Sequence, residues 1–208
     1  MKIVVVGAAG MAGSRIVAEA GGRGHRVTAV LRGLRPETLP PEVAAVRGEA
    51  TDVELMTRLF TSADAVVGAT RPAPGAEHAV TAVTTALLDA AAAAGTRILF
   101  IGGSAPLLAP GGGLVYDAPA YVPPAWRAIA AASIAQLDAC RPHAADWAYL
   151  SPPALLEPGV RTGGYRRGAT ALVVGPDGSS RISAEDLAVA VLDELEQPSG
   201  ERHFSVGY

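Results

Sequence analysis

A doubly wound α/β fold, a parallel sheet with helices on both faces, is predicted by three features. Short β-branched runs recur along the chain, helical patterns separate them, and a glycine-rich turn joins the first strand to the first helix. Parallel neighbours need crossover connections, and these are almost always right-handed, so the alternation predicts three αβα layers with strand order 3-2-1-4-5-6.

The elements follow in order. Lys2 to Val6 is a short apolar run of the kind buried in parallel sheets, and Gly7 to Gly13 leads into a helix carrying Ile16, Val17 and Ala20 that stops at Gly21-Gly22. Arg26 to Leu31, Ala44 to Val46, Ala65 to Val67 and Ile98 to Ile101 repeat the strand pattern. Thr51 or Asp52 caps a helix through Phe60, and Val80, Val83, Leu87, Leu88 and Ala91 form an apolar stripe at helical spacing. Pro106 to Pro124, rich in Gly and Pro, reads as a long loop, Ala125 to Cys140 as a helix and Trp147 to Leu150 as strand six. Ser183 to Asp186 has the form of a capping box before a helix that buries Leu187, Val191, Leu192 and Leu195, and His203 to Val206 adds an edge strand. Without a repeat or a long linker, residues 1–208 read as a single domain with a small elaboration on the substrate side of its C-terminal half.

Bulk properties exclude several classes. With 17 basic and 20 acidic residues, net −3, there is no field to attract nucleic acid or an anionic membrane. The single cysteine, Cys140, cannot form an internal disulfide, which points to a reducing compartment. His25, His78, His143 and His203 lack metal-ligand spacing, so no metal is expected. The apolar segments are too short for a membrane span, and the first strand follows the initial Met-Lys too closely for a signal peptide. A cytoplasmic protein with a small-molecule ligand is expected, and an apolar edge or helix face leaves room for a homodimer.

Gly7-Ala8-Ala9-Gly10-Met11-Ala12-Gly13 is a G-x-x-G-x-x-G turn at the start of a helix. There, backbone N–H groups and the positive helix end can hold a pyrophosphate. The first glycine permits the turn, the second lets phosphate approach the main chain, and the third lets helix pack on strand, which together describe the dinucleotide turn of a Rossmann fold. At the end of strand two, where an acid would bind the ribose 2′-hydroxyl of NAD(H), stand Arg32 and Arg35. Arginine pairs with a 2′-phosphate, which favours NADP(H).

In sequence order, Gly7 to Gly13, Arg32, Gly48-Glu49-Ala50, Gly68-Ala69-Thr70-Arg71, Gly102-Gly103-Ser104-Ala105 and Ser151-Pro152-Pro153-Ala154, with the closing Arg181-Ile182-Ser183 to Asp186 and Val206-Gly207-Tyr208, carry a family resemblance. The chain resembles the atypical short-chain dehydrogenases/reductases of the NAD(P)H-binding, NmrA-like group, which includes NADH-flavin reductases and is related to biliverdin-IXβ reductase. The resemblance implies pyrophosphate contacts from Gly7, Gly10, Met11 and Ala12 and adenine contacts near Glu49 and Ala50. It also implies ribose or nicotinamide contacts from Ala69, Thr70, Ser104, Pro152 and Pro153. Three positions depart from it: Ala9 replaces a frequent Thr beside the phosphates, Glu49 a usual Asp, and Ala154 a His of the biliverdin reductases. The last argues against a tetrapyrrole substrate.

The chemistry open to such a site is limited. Most short-chain dehydrogenases use a Y-x-x-x-K pair for proton transfer. Here the only lysine is Lys2, and the residues four after Tyr116 and Tyr121 are Ala120 and Ala125. Ser104 does not sit in a G-x-S-x-G elbow, so it reads as a hydrogen-bonding group near the nicotinamide, and Tyr116 and Asp117 in the long loop read either as facing substrate or as a solvent-exposed loop pair. The reading is hydride transfer from NADPH to a planar conjugated acceptor such as a flavin or quinone. Two alternatives stay open: a non-catalytic NADP(H)-binding or redox-sensing protein, and a pathway enzyme that reduces or isomerises one specialised metabolite.

Overall fold

Strands that read as unbroken runs of Val, Ile and Ala become the middle of the sheet, because only a strand covered on both faces can bury every side chain. The computed structural model describes residues 1–37 and 39–208. In it β1 (Lys2–Val6) pairs in parallel with β2 (Arg26–Leu31) and β4 (Ala65–Gly68), with Val6 level with Val30 and Gly68. β3 (Ala44–Arg47) lies outside β2, while β5 (Ile98–Ile101) and β6 (Trp147–Ser151) continue beyond β4, all parallel. The expected order 3-2-1-4-5-6 is therefore present, and the carboxyl ends of six strands line one edge.

Two apolar layers cover the sheet. On one face α1 (Met11–Gly22) packs against α5 (Ala184–Glu196), burying Ile16, Val17, Leu187 and Val191. On the other lie α2 (Val53–Thr61), α3 (Val80–Ala94) and α4 (Arg127–Cys140), around Met56, Phe60, Leu87, Leu88 and Leu137. Asp52, not Thr51, caps α2, its carboxylate accepting from Leu55 N–H at 2.9 Å. Among the described residues no helix is long and apolar enough to cross a membrane.

Three expectations are corrected. The sheet has eight strands among the described residues, one more than the six core strands and added edge strand read from the sequence. His203 to Val206 is not an edge: β10 (His203–Gly207) runs parallel to β6 and is covered by an antiparallel strand, β8 (Arg166–Gly168). No β-branched residue marks β8. Arg167 holds it there by stacking 3.6 Å from the Phe204 ring centroid and pairing with the buried Glu194 at 2.8 Å. The fourth helix begins at Arg127 rather than Ala125, because Pro123-Pro124 opens a 3₁₀ turn through Trp126 instead.

The capping box at Ser183 is half formed. Ser183 Oγ accepts from Asp186 N–H at 2.9 Å, yet the Asp186 carboxylate turns away to Thr162, Gly163 and Tyr208, and Ser183 N–H donates to the Tyr208 hydroxyl instead. Ser183 also ends β9 (Arg181–Ser183), which pairs in parallel with β7 (Leu155–Glu157) beside the main sheet. The Pro106 to Pro124 loop folds on itself: Val115 N–H donates to Leu107 O at 2.8 Å, and Leu107, Val115, Val122 and Leu172 form a small core.

Candidate functional site

Strand order reverses between β1 and β4, so the connections leaving them diverge and open a crevice at the carboxyl edge. Gly7 forms its floor with φ of 88°, and a Cβ there would stand 2.5 Å from Ala69 O. Ala69 is fixed in turn by donating its N–H to Val6 O at 2.8 Å. Gly13 brings α1 onto the turn so closely that a Cβ would lie 2.2 Å from Gly7 O. Gly10 donates to Gly7 O at 3.0 Å and has no side chain to cap the helix. The N–H groups of Ala9, Met11 and Ala12 have no acceptor among the described residues. Free donors at the positive end of a 12-residue helix, with only small side chains around Gly10, fit a pyrophosphate.

The three arginines near the β2 and β3 ends have different tasks. Arg35 is turned into its own loop, donating to Pro40 O at 2.6 Å, Val43 O at 2.8 Å and Leu39 O at 3.4 Å, so its charge braces the β2–β3 connection. Arg32 is exposed and its guanidinium has no partner among the described residues. Beside it stands Arg47, the last residue of β3, paired in register with Leu31 and donating from Nε to Arg32 O at 3.3 Å. The sequence reading missed Arg47. Its place at the carboxyl end of a strand adjacent to β2 was the available signal. Glu49 follows two residues later and is exposed, whereas Ala50 packs into the core with Met56 and Phe60.

Ser104 stands just beyond β5. Its carbonyl closes a turn by accepting from Leu107 N–H at 3.0 Å, while its hydroxyl, like that of Thr70 beyond β4, has no partner among the described residues. Tyr116 is drawn to the same edge because its N–H donates to Ala105 O at 3.2 Å, and the Arg127 guanidinium lies 4.2 Å from its ring centroid. Pro152 and Pro153 are buried directly after β6, where Ala154 N–H donates to Ser180 Oγ at 3.2 Å. The structure thus brings Gly7 to Ala12, Ala69, Thr70, Ser104, Tyr116, Pro152 and Pro153 to one edge, with Arg32 and Glu49 on its β2–β3 side.

Other titratable groups near this edge are closed to chemistry. Tyr149 lies fully buried under Gly102, its hydroxyl shared between Ser133 O at 2.9 Å and Gln136 Oε1 at 3.1 Å, and burial pushes its phenol far above the usual range. His203 Nε2 lies 2.9 Å from Ser151 Oγ, but Ser151 is fully buried, and burial pushes the imidazole down to about 4. Lys2 begins β1 and so lies at the opposite edge from Ser104 and Tyr116.

A family model described as NAD(P)H-binding matches residues 7–198. The chain belongs to this NAD(P)H-binding family. Within it the chain falls in the atypical short-chain dehydrogenase/reductase, NmrA-like group. One relative, the uncharacterized protein YwnB of Bacillus subtilis, is 36% identical over 203 residues, covering 95% of this chain and 93% of that one. A provisionally named NADH-flavin reductase of Streptococcus pneumoniae superposes with a TM-score of 0.89 at 28% identity, over 100% of this chain and 99% of that one. A provisionally named epimerase of Bacteroides thetaiotaomicron gives 0.88 at 32% identity, over 100% and 96%.

Proposed function

We propose that the protein is an NADPH-dependent oxidoreductase that delivers hydride to a planar conjugated acceptor. The observation that carries this reading is the crevice itself: a glycine turn with N–H donors lacking acceptors among the described residues at one end, a Ser104 hydroxyl without a partner among them at the other, and no lysine near Tyr116. Bound NADPH supplies the hydride. The chain's own residues then bind, orient and shield: the Gly7 to Ala12 turn holds phosphate, Thr70 and Ser104 offer hydroxyls to the ring end, and the buried Pro152 and Pro153 form a dry wall. A delocalised acceptor needs no protein acid of matched pKa, since its charge spreads over the ring and solvent supplies the proton. The streptococcal neighbour's name supports the same class.

NADPH is favoured over NADH because Arg32 offers an uncommitted guanidinium at the 2′ corner, with Arg47 against its carbonyl. Arg32→Ala is expected to cost about 1.5–3 kcal/mol for NADPH and much less for NADH, the scale of hydrogen bonds to charged groups. Calorimetric titration with both coenzymes checks it, and equal losses would remove the argument.

Ser104 acts here as a positioning hydroxyl. Ser104→Ala should lower hydride transfer about tenfold or less, the worth of one neutral hydrogen bond, whereas loss of a required acid costs roughly a hundredfold or more. Single-turnover oxidation of NADPH by a panel of flavins, quinones and enones decides between these roles. If NADPH binds and no member of the panel oxidises it above background, the chain is a coenzyme-binding protein without this activity.

A further inference from the structure

We propose that the groove of about 450 Å³ between the β4–α3 connection and the start of α4 is the acceptor subsite, and that it selects planar acceptors bearing an anionic substituent. Trp126 is its stacking face and Arg71 its anion contact. The assignment rests on the hydride-acceptor reading for what fills the groove, and its volume is that of a small-molecule site.

Trp126 is 54% exposed, an unusual state for the largest apolar side chain. Pro123 and Pro124 fix the turn that presents it, and Arg71 lies 5.7 Å from its ring centroid. Arg71 follows Thr70 at the carboxyl end of β4, so the groove adjoins the crevice wall that carries Ala69 and Thr70.

The charges point one way. Arg23, Arg97, Arg161 and Arg167 each hold a carboxylate within 3 Å. Arg71 and Arg127 hold none among the described residues, and each stands against an aromatic ring instead, Arg127 over Tyr116. Glu77, the acid on the groove wall, forms no ion pair with Arg71 among the described residues, and its Oε1 accepts from Gly75 N–H at 3.1 Å. A conjugated ring laid on Trp126 would gain stacking from its face, and a carboxylate, sulfonate or phosphate at its margin would gain a guanidinium that no carboxylate among the described residues is using.

Riboflavin and FMN share one ring system and differ by a phosphate, so they separate the two contacts. They are titrated against protein saturated with NADP⁺, following flavin fluorescence. FMN is expected to bind at least fivefold more tightly than riboflavin at low ionic strength, with the preference shrinking as salt is added. Arg71→Ala should abolish the preference and leave riboflavin unchanged, Arg71→Lys should keep part of it, and Trp126→Ala should weaken both flavins at least fivefold. Both side chains are exposed, so unchanged melting temperatures are expected and verify folding. Equal affinity of the two flavins for the wild type, failure of both to bind, or a preference that survives Arg71→Ala would overturn the proposal. Binding as expected without NADPH oxidation would leave the subsite standing and sink the oxidoreductase reading. Reduction of both flavins with KM values untouched by Arg71→Ala and Trp126→Ala would do the reverse.

Discussion

Gly10→Asp is expected to lower coenzyme affinity at least a hundredfold while leaving the melting temperature of the free protein within a few degrees of the wild type. Gly10 has φ of −71° and ψ of 168°, an ordinary extended conformation that aspartate adopts, and aspartate is a favoured helix N-cap. The new Cβ would lie 3.2 Å from Gly7 O, a contact relieved by a shift of a few tenths of an ångström. Folding therefore tolerates it. Binding does not, because the carboxylate competes for the same free N–H groups of the first helical turn and sets negative charge against a pyrophosphate. Gly13→Ala is the contrasting control. Its Cβ would lie 2.2 Å from Gly7 O and 2.9 Å from Gly7 C, backbone atoms that cannot move without lifting α1 from β1. A loss of about 3 kcal/mol of stability or more is expected there, at the upper end of overpacking costs. Thermal melts with and without NADPH, beside calorimetric titration, separate the two. Parallel loss of stability and affinity in Gly10→Asp would refute the cradle.

Asp186→Ala is expected to remove about 1.5–3 kcal/mol, the worth of hydrogen bonds to a charged group and a sizeable part of the stability of an ordinary domain. Asp186 is fully buried at the start of α5 and accepts from Thr162 N–H at 2.9 Å, Gly163 N–H at 2.8 Å, the Thr162 hydroxyl at 2.6 Å and the Tyr208 hydroxyl at 2.5 Å. Without the carboxylate these donors lose their shared acceptor: Thr162 and Gly163 are exposed, so water takes over part of that role, while the half-buried Tyr208 hydroxyl keeps only Ser183 Oγ at 2.9 Å. Burial by itself would raise the carboxyl's pKa, but hydrogen bonds led by Thr162 and Tyr208 outweigh it and hold the group below the usual carboxylate range. A lowered folded pKa makes the contribution fully present above the unfolded value of 3.8, and lost as pH falls through the lower folded value. Urea unfolding at pH 7 should show the midpoint of Asp186→Ala far below the wild type, with Tyr208→Phe losing less because it removes one donor. A change under 1 kcal/mol in Asp186→Ala would rule this role out.

The alternation of strand and helix, the glycine turn and the carboxyl-edge positions of Arg32, Ser104 and Pro152 were legible in the sequence by itself, because each depends on local period or local turn chemistry. A β-branched run buries itself only inside a parallel sheet, and a glycine triplet between strand and helix has few other uses. Only the tertiary structure decided the rest. Arg35 and Arg47 are alike as residues, and what separates them is a loop carbonyl array at Val43, Leu39 and Pro40 against a place beside Arg32. Arg166-Arg167-Gly168 becomes a strand although no residue in it favours one, since β10 offers an open edge and Glu194 and Phe204 offer Arg167 its partners. Asp186 and Tyr208 lie 22 residues apart and meet only when α5 and the last strand pack. Long-range pairing of this kind leaves no periodic trace, because its energy belongs to the juxtaposition and not to either segment.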